Sequence, residues 1–268
     1  MLLASTVILQ NLQKEYQMTN DEKLALAEQI IKYCRKFNVP FEFLFEILED
    51  QKVTPMIRGK AMEYNAFLML DKILPHSTWS VQKLNLNAQT GIYDEDISIT
   101  HRRTGIILKV ESKSTVRGSI KDGQRSRILD VAHFNVKCHR SRSNIKLAGT
   151  SNDRYSVDSF DVLLTNTSNA IFEGNTVGEY LEVMHNENIK EMLYKFYGVN
   201  SDENLIVAAA NDWRFTIPKD IAIDGFIPRT PYVKLENDEN WKSLNTIENR
   251  LLEVVEDKRK SIQTTRRK

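Results

Sequence analysis

The run Gly105-Ile106-Ile107-Leu108-Lys109-Val110-Glu111-Ser112-Lys113 constrains the fold more than any other stretch of this chain. Its β-branched and aliphatic residues read as a strand. Side chains alternate across a strand, so Ile107, Lys109, Glu111 and Lys113 share one face and Ile106, Leu108, Val110 and Ser112 the other. Glu111 and Lys113 therefore point the same way at the strand's end. Upstream, Asp96 stands at the mouth of a second strand-like run, Ile97-Ser98-Ile99-Thr100, and Arg102-Arg103-Thr104-Gly105 forms a tight basic turn between the two. The spacing predicts a hairpin of strands at about 96–101 and 105–113.

An acid two residues before a lysine occurs four times in the chain, beginning at Asp21, Asp50, Glu111 and Glu256. Three of these lie in polar stretches, where charges are simply solvated. Only Glu111 closes an apolar strand. Two carboxylates and a lysine at the ends of neighbouring strands can bind a divalent metal and activate water beside it. The competing reading is an edge strand with a solvated charged face.

The net charge is only +1, but it is unevenly spread. From His101 to Lys146 there are 12 Lys or Arg and 3 Asp or Glu, which leaves 25 basic and 33 acidic residues in the rest. The basic excess is concentrated around the candidate site, as a polyanionic partner requires. No apolar run approaches the roughly 20 residues of a membrane span. The N-terminal Met1 to Leu9 lacks a basic leader and is expected to be structure rather than a signal peptide. Cys34 and Cys138 stand far apart and without ligand spacing, so neither a disulfide framework nor a zinc site is expected, and a reducing cytoplasm is the expected compartment.

The first 75 residues read as helical. Thr19-Asn20-Asp21-Glu22 has the form of a capping box, Leu24, Ala27, Ile30, Ile31 and Cys34 follow at helical spacing, and Asn38-Val39-Pro40 ends that helix. Further helices are expected over Phe41–Leu48 and from about Met56 to Leu74. In the latter, Glu63 shares a face with Ala66, Phe67 and Leu70. An acid on an apolar face needs a partner, either a salt bridge or cap, or a role as a third acid at the metal site. From Trp79 the period changes. Strands are expected at Trp79–Leu86, Phe134–Cys138, Phe160–Thr165 (buried and central) and Leu205–Ala210. Gly118 to Arg127 reads as a loop leading into a helix. Helix is expected over 177–197 and Trp241–Lys258, with largely loop from Ile217 to Asn240, where Pro218, Pro228 and Pro231 fall. The organisation is a helical region over 1–55, a core over 56–240 with inserted loops, and a C-terminal helix and basic tail over 241–268.

A helix bearing an acid, a strand, an Asp opening the next strand, a turn, an apolar strand ending Glu-x-Lys and a mixed continuation: this order resembles the PD-(D/E)XK nuclease superfamily, and within it type II restriction endonucleases. The resemblance has motif support over about 57–165. It implies an α/β (α+β) fold, a restriction-endonuclease-like core with a central mixed β-sheet flanked by helices, plus the N-terminal helical region. Asp96 matches the first acid, Glu111 the second, Lys113 the motif lysine, and Glu63 the helical glutamate many members place near the metal. Glu95 stands where the family pattern has Pro, and Asp94 is an alternative to Asp96 as ligand.

The resemblance implies a Mg²⁺-dependent, sequence-specific double-stranded DNA endonuclease acting as a homodimer, with Mn²⁺ as a substitute metal. Asp96, Glu111 and the Ser112 backbone carbonyl would hold the cation, a hard ion that favours oxygen. Lys109, Arg117, Lys121, Arg125, Arg127, Lys137, His139, Arg140 and Arg142 are candidates for DNA contact. A modification-dependent or repair nuclease, a non-catalytic DNA-binding protein of the same fold, and a helical protein–protein adaptor remain alternatives. Gly91-Ile92-Tyr93 lacks the second half of a GIY-YIG pattern, and no phosphate-cradling glycine loop is present.

Overall fold

The computed structural model describes residues 18–50, 52–84, 96–123, 129–140, 153–174 and 181–266. The chain divides into two compact units, Met1–Arg58 and Gly59–Lys268.

The first unit is helical. Helix α1, Asn20–Phe37, starts at the capping box: the Thr19 side chain accepts from the Glu22 N–H, and Glu22 reaches back to the Thr19 N–H at 2.7 Å. It ends at Asn38, which takes the left-handed conformation a short polar side chain tolerates. A 3₁₀ turn, Phe41–Phe43, leads into α2, Leu44–Glu49. Helix α3, Thr54–Ile73, begins here and buries Met62, Ala66 and Leu70 in the second unit.

The second unit is built on a six-stranded mixed sheet in the order β1 (Trp79–Lys83), β2 (Ile97–His101), β3 (Ile106–Ser112), β5 (Val162–Asn166), β8 (Trp213–Thr216) and β10 (Lys242–Ser243). Strands β1, β2 and β3 form an antiparallel meander. The β2–β3 turn needs a positive φ, which Gly105 supplies at 68°. Strand β5, Val162–Asn166, then runs parallel to β3, with Glu111 beside Leu163. The parallel pairing requires a long crossover. Within that crossover β4, His133–Asn135, pairs instead with β9, Tyr232–Lys234. A 3₁₀ turn and the small hairpin of β6 (Phe172–Gly174) and β7 (Leu181–Val183) follow β5. Helices α4 (Glu187–Tyr197) and α5 (Asp202–Asn211) lead to β8, Trp213–Thr216. After the short α6, Pro218–Ile221, and β9, β10 (Lys242–Ser243) pairs with β8 and a 3₁₀ turn opens α7, Ile247–Arg266.

Alternation on β5 sorts the core into two clusters. Val162 and Leu164 join Leu70, Trp79, Ile97, Leu108, Leu251 and Val255, whereas Leu163 joins Phe134, Tyr155, Leu193, Leu205 and Trp241. The α+β architecture expected from the resemblance is present: a mixed sheet flanked by helices, with a helical region before it. No described helix is long and apolar enough to cross a membrane.

Several local expectations are corrected. Residues 205–210 are helical, not a strand, because Ser201 caps them by accepting from the Asn204 N–H at 3.3 Å and the run Ala208-Ala209-Ala210 favours a helix. The expected 177–197 helix begins only at Glu187, behind the Asn186 cap, and Leu181–Val183 ahead of it is strand. Trp241 opens no helix, since the next two residues are ladder partners of β8 and α7 starts at Ile247. The 217–240 segment holds β9, whose partner lies about 100 residues upstream. The strand expected at Phe134–Cys138 is His133–Asn135, continued by a bridge at Val136. Residues 118–123 hold no helix, and 124–128 lie outside the described residues, as do Met1–Leu9 and the tail of the Trp79–Leu86 strand.

Leu251 is fully buried whereas its neighbour Leu252 is 37% exposed. Leu251→Ala is expected to cost roughly 2–5 kcal/mol and Leu252→Ala less than about 1 kcal/mol, read from urea denaturation midpoints.

Candidate functional site

The end of β3 is held from both sides. The Asp96 N–H donates to the Val110 carbonyl at 3.0 Å, and the Asp96 carboxylate accepts from the Ser112 N–H at 2.9 Å. Past the strand end, the Lys113 N–H donates to the Leu164 carbonyl at 2.9 Å, and the Thr165 hydroxyl donates to the Lys113 carbonyl at 2.7 Å. Asp96 is therefore fastened to the very tripeptide that carries Glu111 and Lys113. The amphipathic alternation of β3 turns Leu108 and Val110 into one core cluster and leaves Glu111 to the other face.

Glu111 is 3% exposed and forms an ion pair with Lys113. Burial alone pushes the Lys113 ammonium down, but the Glu111 carboxylate and the Tyr155 side chain outweigh it and hold the group well above the ordinary lysine range. Lys113 Nζ lies over the Tyr155 ring at 4.9 Å, and the Arg140 guanidinium lies over the same ring at 4.6 Å. The Cys138 thiol is buried nearby and pushed up to about 12 by desolvation, with Glu111 adding to the rise and Lys113 opposing it. It is a packed apolar side chain, not a nucleophile.

Asp96 carries the site's electrostatic tension. Burial first and the Glu63 carboxylate second raise its pKa to about 6, against the lowering pull of the Ser112 N–H, Lys113 and Lys83. Glu63 reaches this corner from α3 but is taken up by lysines: Lys60 at 2.8 Å and Lys83 at 3.0 Å. The Lys83 side chain is 9% exposed, and its Nζ also donates to the Asp96 carbonyl at 3.1 Å and the Leu84 carbonyl at 3.3 Å. It ties α3 to the β2 entry.

Asp96, Glu111, Ser112 and Lys113 are thus brought together, with Glu63 alongside through Lys83. Asp94 lies outside the described residues. Of the candidate DNA contacts, Arg117, Lys121 and Lys137 are exposed. Lys109 is half-buried, its N–H donating to Asp161 at 2.7 Å. Arg140 donates to the Arg154 carbonyl at 2.8 Å and the Ser159 hydroxyl at 3.3 Å, and the His139 ring contacts the Arg140 carbonyl. Arg125, Arg127 and Arg142 lie outside the described residues. Sequence reasoning missed Lys83, Tyr155 and Asp161, which also accepts from Lys258 at 2.6 Å. Lys83 closes a short strand, which is a faint signal, and Tyr155 stands in a loop with none.

The donors present suit a hard divalent cation in kind: two carboxylates and backbone carbonyls. Among the described residues no group of three or more His, Cys, Asp or Glu side chains is placed to hold a metal. Any cation here would rest on Asp96, Glu111 and backbone oxygen.

No family model matches the chain, and neither does any curated protein. Among solved structures, a bacterial homing endonuclease overlaps 49% of this chain and 80% of its own, at 17% identity and a TM-score of 0.27. A likeness that slight carries no weight for fold or activity.

The raised Asp96 pKa has a consequence for stability. Asp96 holds its proton more tightly folded than unfolded, so it subtracts stability as pH rises from about 4 to about 6. Asp96→Asn keeps an acceptor for the Ser112 N–H and removes the charge. It is expected to raise stability above pH 6 by about 1–3 kcal/mol and to lose that gain below about pH 4, read from denaturation curves across pH.

Proposed function

We propose that the chain is a Mg²⁺-dependent endonuclease that hydrolyses phosphodiester bonds in double-stranded DNA, of the type II restriction kind. The observation that carries this reading is the fastening of Asp96 to the Ser112 N–H. It sets an aspartate against a Glu-x-Lys strand end, where burial and the Glu63 carboxylate raise its pKa to about 6, and a bound cation would offset that crowded negative charge. The resemblance implies a central mixed β-sheet flanked by helices for such a core, and β1, β2, β3 and the parallel β5 form part of a sheet of that kind.

Asp96, Glu111 and the Ser112 carbonyl would hold Mg²⁺, with Mn²⁺ as a substitute. When bound, the ion supplies an acidified water and charge stabilisation at the scissile phosphate. Lys113 is a permanent cation beside Glu111 and orients the attacking water or offsets charge developing on the phosphate. Tyr155 fixes the Lys113 ammonium in place, and Lys83 keeps Glu63 close to Asp96. Exposed Arg117, Lys121 and Lys137 offer phosphate contacts beside the site. One site per chain cuts one strand, so cutting both calls for two copies related by a two-fold axis.

Lys113→Ala and Glu111→Ala are each expected to reduce Mg²⁺-dependent cleavage of plasmid and phage DNA by at least about 100-fold. Binding to the same DNA is expected to persist and to weaken with salt. Undiminished cleavage by either variant would remove these residues from the chemistry. Salt-dependent binding with no cleavage by the parent chain would favour a non-catalytic DNA-binding protein.

A further inference from the structure

We propose that α1 is a self-association surface, on which two copies of this chain pair antiparallel about a two-fold axis near Ile30. The inference rests on the first unit alone. It supplies a surface for the dimer that cleavage of both strands calls for, and it stands whether or not the chain cleaves DNA.

The first unit exposes many of its large apolar side chains. Tyr33, Phe37, Phe41, Phe43 and Phe45 are each more than half exposed, and Leu24, Leu26, Ile47, Met56 and Ile57 are each at least 40% exposed. At about 200 Å² per ring, the five aromatics alone leave on the order of 500 Å² in water. The largest apolar patch on an ordinary monomer is about 300–600 Å². Of these residues Leu24, Leu26, Tyr33 and Phe37 stand on α1. Only Cys34 and Leu44 of this unit's described apolar residues are buried.

On α1 this surface has an order. Leu26, Ile30, Tyr33 and Phe37 fall four, three and four residues apart, which sets them in one row along the helix. Leu26 is 46%, Tyr33 55% and Phe37 56% exposed, Ile30 is half-buried, and the Tyr33 and Phe37 rings touch at 4.8 Å. A row of this spacing is the seam of a two-helix pair.

Charge selects the partner and its direction. The first turn of α1 carries Asp21 and Glu22, and the last carries Arg35 and Lys36. Two copies laid antiparallel place the acidic turn of each against the basic turn of the other, and oppose their helix dipoles favourably. Laid parallel, they would set like charges together. With Ile30 on the axis, Leu26 of one copy faces Tyr33 or Cys34 of the other, and Glu22 comes beside Lys36 of the second copy. Glu22 and Lys36 flank the same edge of the row, so the antiparallel pair brings them together. The helix is thus complementary to itself in both shape and charge.

The test uses the full chain. Light scattering at micromolar concentration is expected to give a dimer. Ile30→Cys is expected to yield a disulfide-linked dimer under mild oxidation. Lys23→Cys is not, because antiparallel pairing holds its two copies about 20 Å apart along the axis. The double variant Leu26→Glu with Phe37→Glu is expected to be monomeric with unchanged helical circular dichroism, both residues already facing water in the single chain. Lys36→Glu, on the exposed edge, guards against a folding artefact. It is expected to weaken the dimer about two- to fivefold, with the difference fading at high salt. A monomeric parent chain would overturn the proposal, as would a dimer that survives the double variant. Linking through Lys23→Cys but not Ile30→Cys would overturn the antiparallel arrangement.

Discussion

Everything at the candidate site depends on β3 having unlike neighbours. On one side β2 pairs with it antiparallel, and on the other β5 pairs with it parallel. The antiparallel side delivers Asp96 to the strand's end, because Ile97, which opens β2, pairs with Val110, and Asp96 stands one residue before it. The parallel side anchors the backbone beyond Ser112 through Leu164 and Thr165. A strand end is ordinarily frayed and solvated. Here it is pinned at both edges, so Glu111 and Lys113 stand on a fixed backbone.

That rigidity has an electrostatic cost that the site carries visibly. A carboxylate pushed up to about 6 by burial and by a second carboxylate subtracts from folding stability at neutral pH. Lys83 and Lys113 moderate the cost without removing it. Lys113 is drawn to Glu111, and Lys83 is divided among Glu63 and two backbone carbonyls. Structural ion pairs normally depress a carboxylate's pKa, and at Asp96 burial and the Glu63 carboxylate outweigh the Ser112 N–H, Lys113 and Lys83.

How much of this was legible in the sequence follows from the range of the interactions. The β2–β3 hairpin was, because strict alternation, a basic turn and Gly105 all lie within about 18 residues and each reports locally. The α1 cap was legible for the same reason, since Thr19 and Glu22 satisfy one another three residues apart. The run Leu205-Ile206-Val207-Ala208-Ala209-Ala210 was misread because a short apolar stretch has no period of its own, and only the Ser201 cap tips it to helix. The β4–β9 ladder and the partners of Lys83, Tyr155 and Asp161 are set by contacts between distant segments. No local pattern encodes them. Glu63 was legible as an anomaly, an acid on an apolar face, but its lysine partners came from its own helix and from β1.

The account turns on Asp96 being poised for a cation, and the carboxyl carbon resonance of that residue reports on it directly. An NMR titration of the ¹³C-labelled chain should give an Asp96 pKa near 6 without divalent metal, and a clearly lower value when Mg²⁺ is added, with the Glu111 resonance shifting in parallel. An Asp96 pKa near the ordinary aspartate value of about 4, unmoved by Mg²⁺, would contradict the account and leave Asp96, Glu111 and Lys113 as structural charges at a strand end.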